Sequence, residues 1–207
     1  MEITRVLYLS SMIILDVETT GTNAEKHGLV SIGAVDFLYP EVQFYKECRV
    51  WDGAHVDPRA LEINGFSESD IKNSEKQSEG ELVKNFLMWL EEREDMVIAG
   101  MNVTFDVDFV REASRRAGLA TAFSYRIVDL HSIAYFHIIN RGLEPPISNR
   151  KTNLDSDKIM QYVGIPTEPK PHNGLNGAIW EAEAFSRLMY NKSLLPNFFK
   201  YPIPFSI

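Results

Sequence analysis

Residues 12–21 read Met12-Ile13-Ile14-Leu15-Asp16-Val17-Glu18-Thr19-Thr20-Gly21. An apolar run that breaks off into polar residues and a glycine marks a short buried strand closed by a turn. Side chains alternate across a strand, so Asp16 and Glu18 point to the same face. Two carboxylates so placed repel one another and need protons, a basic partner or a metal ion. Neither neighbour is basic. Taken alone, an Asp-x-Glu pair reads most simply as a solvent-facing strand end. The apolar strand leading in and the Thr-Thr-Gly turn leading out strengthen the metal reading, and oxygen ligands of this kind suit Mg²⁺ or Mn²⁺ rather than zinc.

Beyond this stretch, residues 29–38 repeat the apolar signal and residues 42–51 alternate more loosely. Together they predict three consecutive antiparallel strands with turns near residues 22–28 and 39–40. Short helices and turns are expected over 58–69. Helices follow over 79–92, where Leu82, Val83, Phe86, Leu87 and Leu90 keep helical spacing, and over 106–117. Strands are expected at 96–100 and 125–130, the latter leading into a helix through residue 139. Residues 141–152 and 166–174 read as loops, 154–163 and 176–190 as helices, and 193–207 as an irregular tail packed on the body. Strands followed by alternating helices and strands indicate an α/β domain with a mixed sheet. The domain is placed at 12–192, after an extension at 1–11.

The 207 residues are 44% hydrophobic, enough for one packed domain and too many for a disordered chain. A formal net charge of −8 argues against a protein that coats nucleic acid by neutralising phosphates. It leaves room for an enzyme whose acids hold metal ions at a single phosphate. Cys48, the only cysteine, reads as a small buried hydrophobe. No apolar run is long enough for a membrane span, and the first residues lack a secretory pattern, so the simplest compartment is the cytoplasm, with no membrane partner.

Two further segments carry chemistry. Asp106 stands where a strand gives way to a helix, a position that suits a metal ligand and, equally, a first-turn carboxylate favoured by the helix dipole. Asn102 just before it reads as a turn or capping residue. His172 lies in a proline-rich loop before the last helix; such a histidine is usually a surface residue, yet beside a metal-bound phosphate ester it is suited to deprotonate water.

In order, the segments LDVETTG (15–21), LEINGFSESDI (61–71), NVTFDVDFV (102–110), IVDLHSIA (127–134), LDSDKIMQYVGIP (154–166) and HNGLNGAIWEAEAF (172–185) resemble the motifs of the DEDDh, DnaQ-like 3′–5′ exonucleases, with their RNase H-like fold. The resemblance implies a mixed five-stranded sheet flanked by helices. It implies two Mg²⁺ or Mn²⁺ ions held by four acids, and single-stranded DNA or RNA 3′ ends as substrate. Carried over, Asp16 bridges the ions, Glu18 and Asp106 are ligands, and His172 is the general base. Val17, Thr19, Thr20 and Asn102 contact the terminal nucleotide, and Phe105 and Phe109 belong to the core. Arg141, Arg150, Lys151, Lys170 and Lys192 are the basic residues available to the substrate backbone. A polymerase or other protein partner fits this scaffold too, and the aromatic tail Phe198-Phe199-Lys200-Tyr201 can pack on a partner or on its own domain.

The chain departs from the pattern at one point. The family's fourth acid lies five residues after the histidine, and Gly177 stands there. The chain is then an inactive nucleic-acid-binding module, or carries a sporadic substitution, or has moved the role to another acid. Helix geometry singles out Glu181 for the last case. Four residues on, it shares the face of Gly177 about 6 Å along, and its side chain leans back toward the helix N-terminus. Glu183 points roughly the opposite way, and Asn176 is a weak neutral ligand. A third reading, a metal-free acid/base pair of Asp16 and Glu18, suffers from the closeness of the two groups.

Overall fold

The computed structural model describes residues 11–93, 96–120 and 123–205. The chain begins with a meander of β1 (Ile13–Thr19), β2 (Leu29–Asp36) and β3 (Gln43–Glu47). After it come α1 (Pro58–Asn64), α2 (Glu68–Ile71), α3 (Glu79–Glu91), β4 (Ile98–Gly100), α4 (Thr104–Arg116), β5 (Val128–Asp129) and α5 (Leu130–Asn140). A small hairpin, β6 (Ile147–Ser148) and β7 (Lys151–Thr152), then precedes α6 (Ser156–Val163) and α7 (Gly174–Tyr190). The main sheet has the order β3-β2-β1-β4-β5. β1 pairs antiparallel with β2 and parallel with β4, which makes the five-stranded sheet mixed, as the sequence predicts.

β1 sits at the centre, and its alternation sorts the two cores. Ile13, Leu15 and Val17 pack with α3 and α4 through Leu82, Phe86, Val107 and Val110. Met12 and Ile14 face the other way, toward α5, α6 and α7. Asp16 and Glu18 share the parity of Met12 and Ile14, so the pleat aims both carboxylates at the α7 side. A register shift between Glu18 and Thr19 ends the regular ladder there.

Two expectations change. The strand expected over 125–130 contracts to Val128–Asp129, with Tyr125 88% exposed. Asp129 ends the strand by capping α5, its carboxylate accepting from the Ser132 amide at 2.9 Å. The loop expected over 141–152 contains the β6–β7 hairpin, whose turn residues Asn149 and Arg150 both have positive φ, 50° and 64°. That is the backbone of a type I′ turn, which matches the twist of the strands it joins.

The tail folds back onto the α7 side, burying Phe198 and Phe205. Arg187 on α7 is fully buried and donates to Glu183, to the Val163 carbonyl and to the tail carbonyls of Phe198 and Tyr201. Glu183 in turn accepts from the Ser193 hydroxyl and the Leu194 and Leu195 amides. Glu183 thus points away from β1, as its helical phase requires, and serves the tail. The extension at 1–11 lies outside the described residues apart from Ser11. Among the described residues no helix is long and apolar enough to cross a membrane.

Candidate active site

The site is built by a close approach of α7 to the sheet. Gly33 on β2 lies opposite Asp16 in the ladder. A Cβ on Gly33 would stand 2.0 Å from the Gly174 carbonyl carbon, and one on Gly174 would stand 2.8 Å from the Asp16 carbonyl oxygen. Only glycines permit this contact, which seats the first turn of α7 directly on the ends of β1 and β2. Asn173 caps that turn, its side chain accepting from the Leu175 and Asn176 amides. Gly177 then falls over Asp16, and a Cβ there would lie 2.0 Å from Asp16 Oδ2. The space of the missing acid is therefore occupied by the Asp16 carboxylate. The bare α-carbon at 177 makes room for Asp16.

Around Asp16 the fold gathers Glu18 from β1 itself, Asp106 from α4 and Glu181 from α7. Glu18 is 9% exposed, Asp106 3% and Glu181 6%, where acids are ordinarily solvent-facing. Asp106, in the first turn of α4, accepts from the Val17 amide at 3.0 Å, tying α4 to β1. Glu181 accepts from the Met101 amide at 3.0 Å, tying α7 to the end of β4. Asn64, at the end of α1, donates to the Thr19 carbonyl at 3.0 Å and hydrogen-bonds Glu18.

The electrostatics follow from this crowding. Burial, then the charges of Glu181, Asp106, Glu18 and Glu168, push Asp16 well above the usual carboxylate range. Burial and Glu168 raise Glu18 to about 8, against the pull of Asn64. Asp106 is raised mainly by burial, and its bond from the Val17 amide opposes the rise. Glu181 is raised by burial and by Asp106, with the Met101 amide opposing. Among the described residues no Lys or Arg forms an ion pair with any of the four. Hard oxygen donors that repel one another without a cation suit a divalent ion such as Mg²⁺ or Mn²⁺. Among the described residues no three His, Cys, Asp or Glu side chains already stand close enough to hold one as they are. The donor chemistry fits the ion.

His172 arrives from the loop before α7. Its amide donates to the Ile63 carbonyl at 3.1 Å, and Pro171 packs where a Cβ on Gly65 would be, 2.6 Å away. Its imidazole Nδ1 lies 3.3 Å from Oε2 of Glu168, while Oε1 of Glu168 accepts from the Asn173 amide at 3.1 Å. Sequence reading missed Glu168 and Asn64. Asn64 sits inside the quoted LEINGF segment, a usable signal; Glu168 offered only its spacing four residues before the histidine.

The family described as Exonuclease (RNase T) matches residues 13–185, which span every element named above from β1 to most of α7. The chain belongs to this exonuclease family. Ribonuclease T of Haemophilus influenzae (strain 86-028NP) is 30% identical over 122 residues, 52% of this chain and 52% of that protein. Ribonuclease T of Klebsiella pneumoniae is 29% identical over 119 residues, 52% of this chain and 55% of that protein. The chain thus spans about half the length of the curated relatives it matches. Among solved structures, E. coli Exonuclease I in complex with a dT13 oligonucleotide carrying 5cy superposes with TM-score 0.68 at 19% identity, over 88% of this chain and 41% of that one. The nuclease domain of 3′hExo, described as a DEDDh family member bound to rAMP, gives TM-score 0.69 at 13% identity, over 91% and 96%. The fold is that of these exonuclease structures.

Within this exonuclease fold, the residues expected to touch substrate divide. Thr20 is fully buried, its hydroxyl donating to the His55 carbonyl and accepting from the Gly28 amide. The Thr19 hydroxyl donates to the Gly21 carbonyl at 2.7 Å, and the Val17 amide is committed to Asp106. These groups shape the turn after β1. Asn102 is exposed at φ 53°, at the turn into α4. The Phe105 and Phe109 rings meet tilted with centroids 4.8 Å apart, Phe109 buried in the core and Phe105 packed partly buried against it. Arg141, Arg150, Lys151, Lys170 and Lys192 are all exposed, and Lys170 shares a recess with Glu62, Ile63, Pro171 and His172.

Proposed function

We propose that the protein is a metal-dependent 3′–5′ exonuclease that releases nucleoside monophosphates from single-stranded DNA or RNA ends. Asp16, Glu18, Asp106 and Glu181 would hold two Mg²⁺ or Mn²⁺ ions, with Asp16 at the centre of the group. Two such ions supply activation of the attacking water and stabilisation of the leaving oxygen. His172 takes the proton from that water. The relatives named Ribonuclease T, and neighbours solved with dT13 and rAMP, support a single-stranded end of either nucleic acid as substrate.

The observation that carries this reading is the position of Glu181. Its buried carboxylate accepts from the Met101 amide beside β4, and its charge raises Asp16, which supports it as the fourth acid where the usual position is glycine. The inactive-module reading rests on Gly177 alone and loses its ground once Glu181 takes that role.

The test is degradation of 3′- and 5′-labelled single-stranded DNA and RNA with Mn²⁺, using wild type, Asp16→Ala and Glu181→Ala. Wild type should shorten the strands from the 3′ end, and each alanine variant should lose about 10²-fold or more of that rate. Equal loss of label from both ends, or no difference between wild type and Asp16→Ala, overturns the assignment. Unchanged activity in Glu181→Ala removes Glu181 from the ligand set.

A further inference from the structure

We infer that Glu168 is the positioning residue of the general base, fixing the tautomer and orientation of His172. This rests on the proposed hydrolysis and adds to it a residue outside the metal ligands.

The loop from Pro166 to Asn173 holds three prolines and no regular structure, a poor platform for a side chain that must meet a water molecule within a fraction of an ångström. Glu168 compensates. Its side chain is 12% exposed, against 36% for His172, so the carboxylate lies beneath the imidazole on the protein side. One oxygen accepts from the Asn173 amide, which anchors it to the residue that caps α7. The other lies 3.3 Å from His172 Nδ1. That spacing is long for a hydrogen bond, and such contacts in free enzymes tighten in the substrate complex. The main chain of His172 is held independently by Ile63, so the ring is the part left for Glu168 to fix.

The chemistry follows from the two ring nitrogens. A carboxylate accepts and does not donate, so facing it selects the tautomer with the proton on Nδ1. The lone pair is then on Nε2, turned away from Glu168. In the reaction Nε2 takes a proton from water, the water oxygen forms its bond to phosphorus, and the bond from phosphorus to the 3′ oxygen breaks. The leaving oxygen receives a proton from solvent, and the imidazolium, charged on both nitrogens, is stabilised by Glu168 until it releases its proton. The same division of labour, a buried acid orienting a histidine, is the general logic of activated bases in hydrolases.

Glu168 also raises Asp16 and Glu18 by its charge, so a simple loss of activity on mutation would not separate the two roles. A double-mutant cycle does. Glu168→Gln, close in shape, should lower kcat about tenfold or more with KM little changed. The same change in a His172→Ala background should have almost no further effect. If Glu168→Gln costs as much in that background as in wild type, or leaves kcat within twofold, the inference is overturned. A second readout needs no activity at all: nitrogen-15 spectra of the His172 ring should show the Nδ1-protonated tautomer in wild type and its loss in Glu168→Gln. An Nε2-protonated ring in wild type overturns the inference. Should wild type prove inert with Mn²⁺, the hydrolytic reading fails and the ring spectrum still decides the Glu168–His172 pair.

Discussion

At Gly177 one absent side chain reorganises the charge around it. Asp16 takes the space a Cβ would fill, and Glu181, one turn on, is the acid proposed for the fourth place. Restoring the acid at its usual place is then harmful. Gly177→Asp puts a Cβ 2.0 Å from the present position of Asp16 Oδ2 and adds a further negative charge to a group already short of cations. Displacing a catalytic side chain by about 1 Å can cost about 10²-fold, so the variant should lose activity on that scale in Mn²⁺ assays on labelled strands. A gain in activity would mean that Glu181 does not hold the fourth place. Asp16, Glu18, Asp106 and His172 were legible because each sits in a motif with a fixed spacing. Glu181 was reachable from helical phase alone. Glu168 was not, because a proline-rich segment gives no periodicity from which to place a side chain.

At the scale of elements, the site depends on how near α7 comes to the sheet. Gly33 and Gly174 meet backbone to backbone, and a methyl at Gly33 would lie 2.0 Å from Gly174. Gly33→Ala should push the first turn of α7 outward, costing about 1–3 kcal/mol of stability by overpacking. Gly177 and Glu181 would move with it, so activity should fall further than the melting temperature suggests. Paired thermal melts and rate measurements check this, and an alanine variant with full activity would show that the contact does not set the site. The meander and the helices were readable because the inner strands are almost wholly apolar and the amphipathic helices keep their period. The β6–β7 hairpin was not: its strands are two residues each and exposed, so no alternation marks them. The shortened β5 has the same origin, since Tyr125, Ile127 and Val128 favour a strand whether or not they are covered, and Tyr125 is left in solvent.

For the molecule as a whole, a net charge of −8 sets an acidic protein against the polyanionic substrate proposed for it. The charge that governs that encounter is local: at the group centred on Asp16, burial and mutual repulsion favour the protonated acids until a cation arrives. This makes stability depend on pH in a definite direction. Glu18 titrates at about 8 in the folded chain against 4.5 for the ordinary side chain, and Asp16, Asp106 and Glu181 are raised as well. Between those values the folded chain binds more protons than the unfolded one, so stability present below about pH 4.5 is lost as pH rises through about 8. Without divalent ions the melting temperature should therefore fall across that window, once any contribution seen in an Asp16→Asn control is subtracted. Mn²⁺ should stabilise more strongly at pH 8 than at pH 6, because the ligands must shed protons to bind it. Thermal melts of the metal-free and Mn²⁺-loaded protein at several pH values test both statements together. A metal-free curve that rises toward pH 8, or a Mn²⁺ shift independent of pH, would mean that the four carboxylates are not the groups that take the ion.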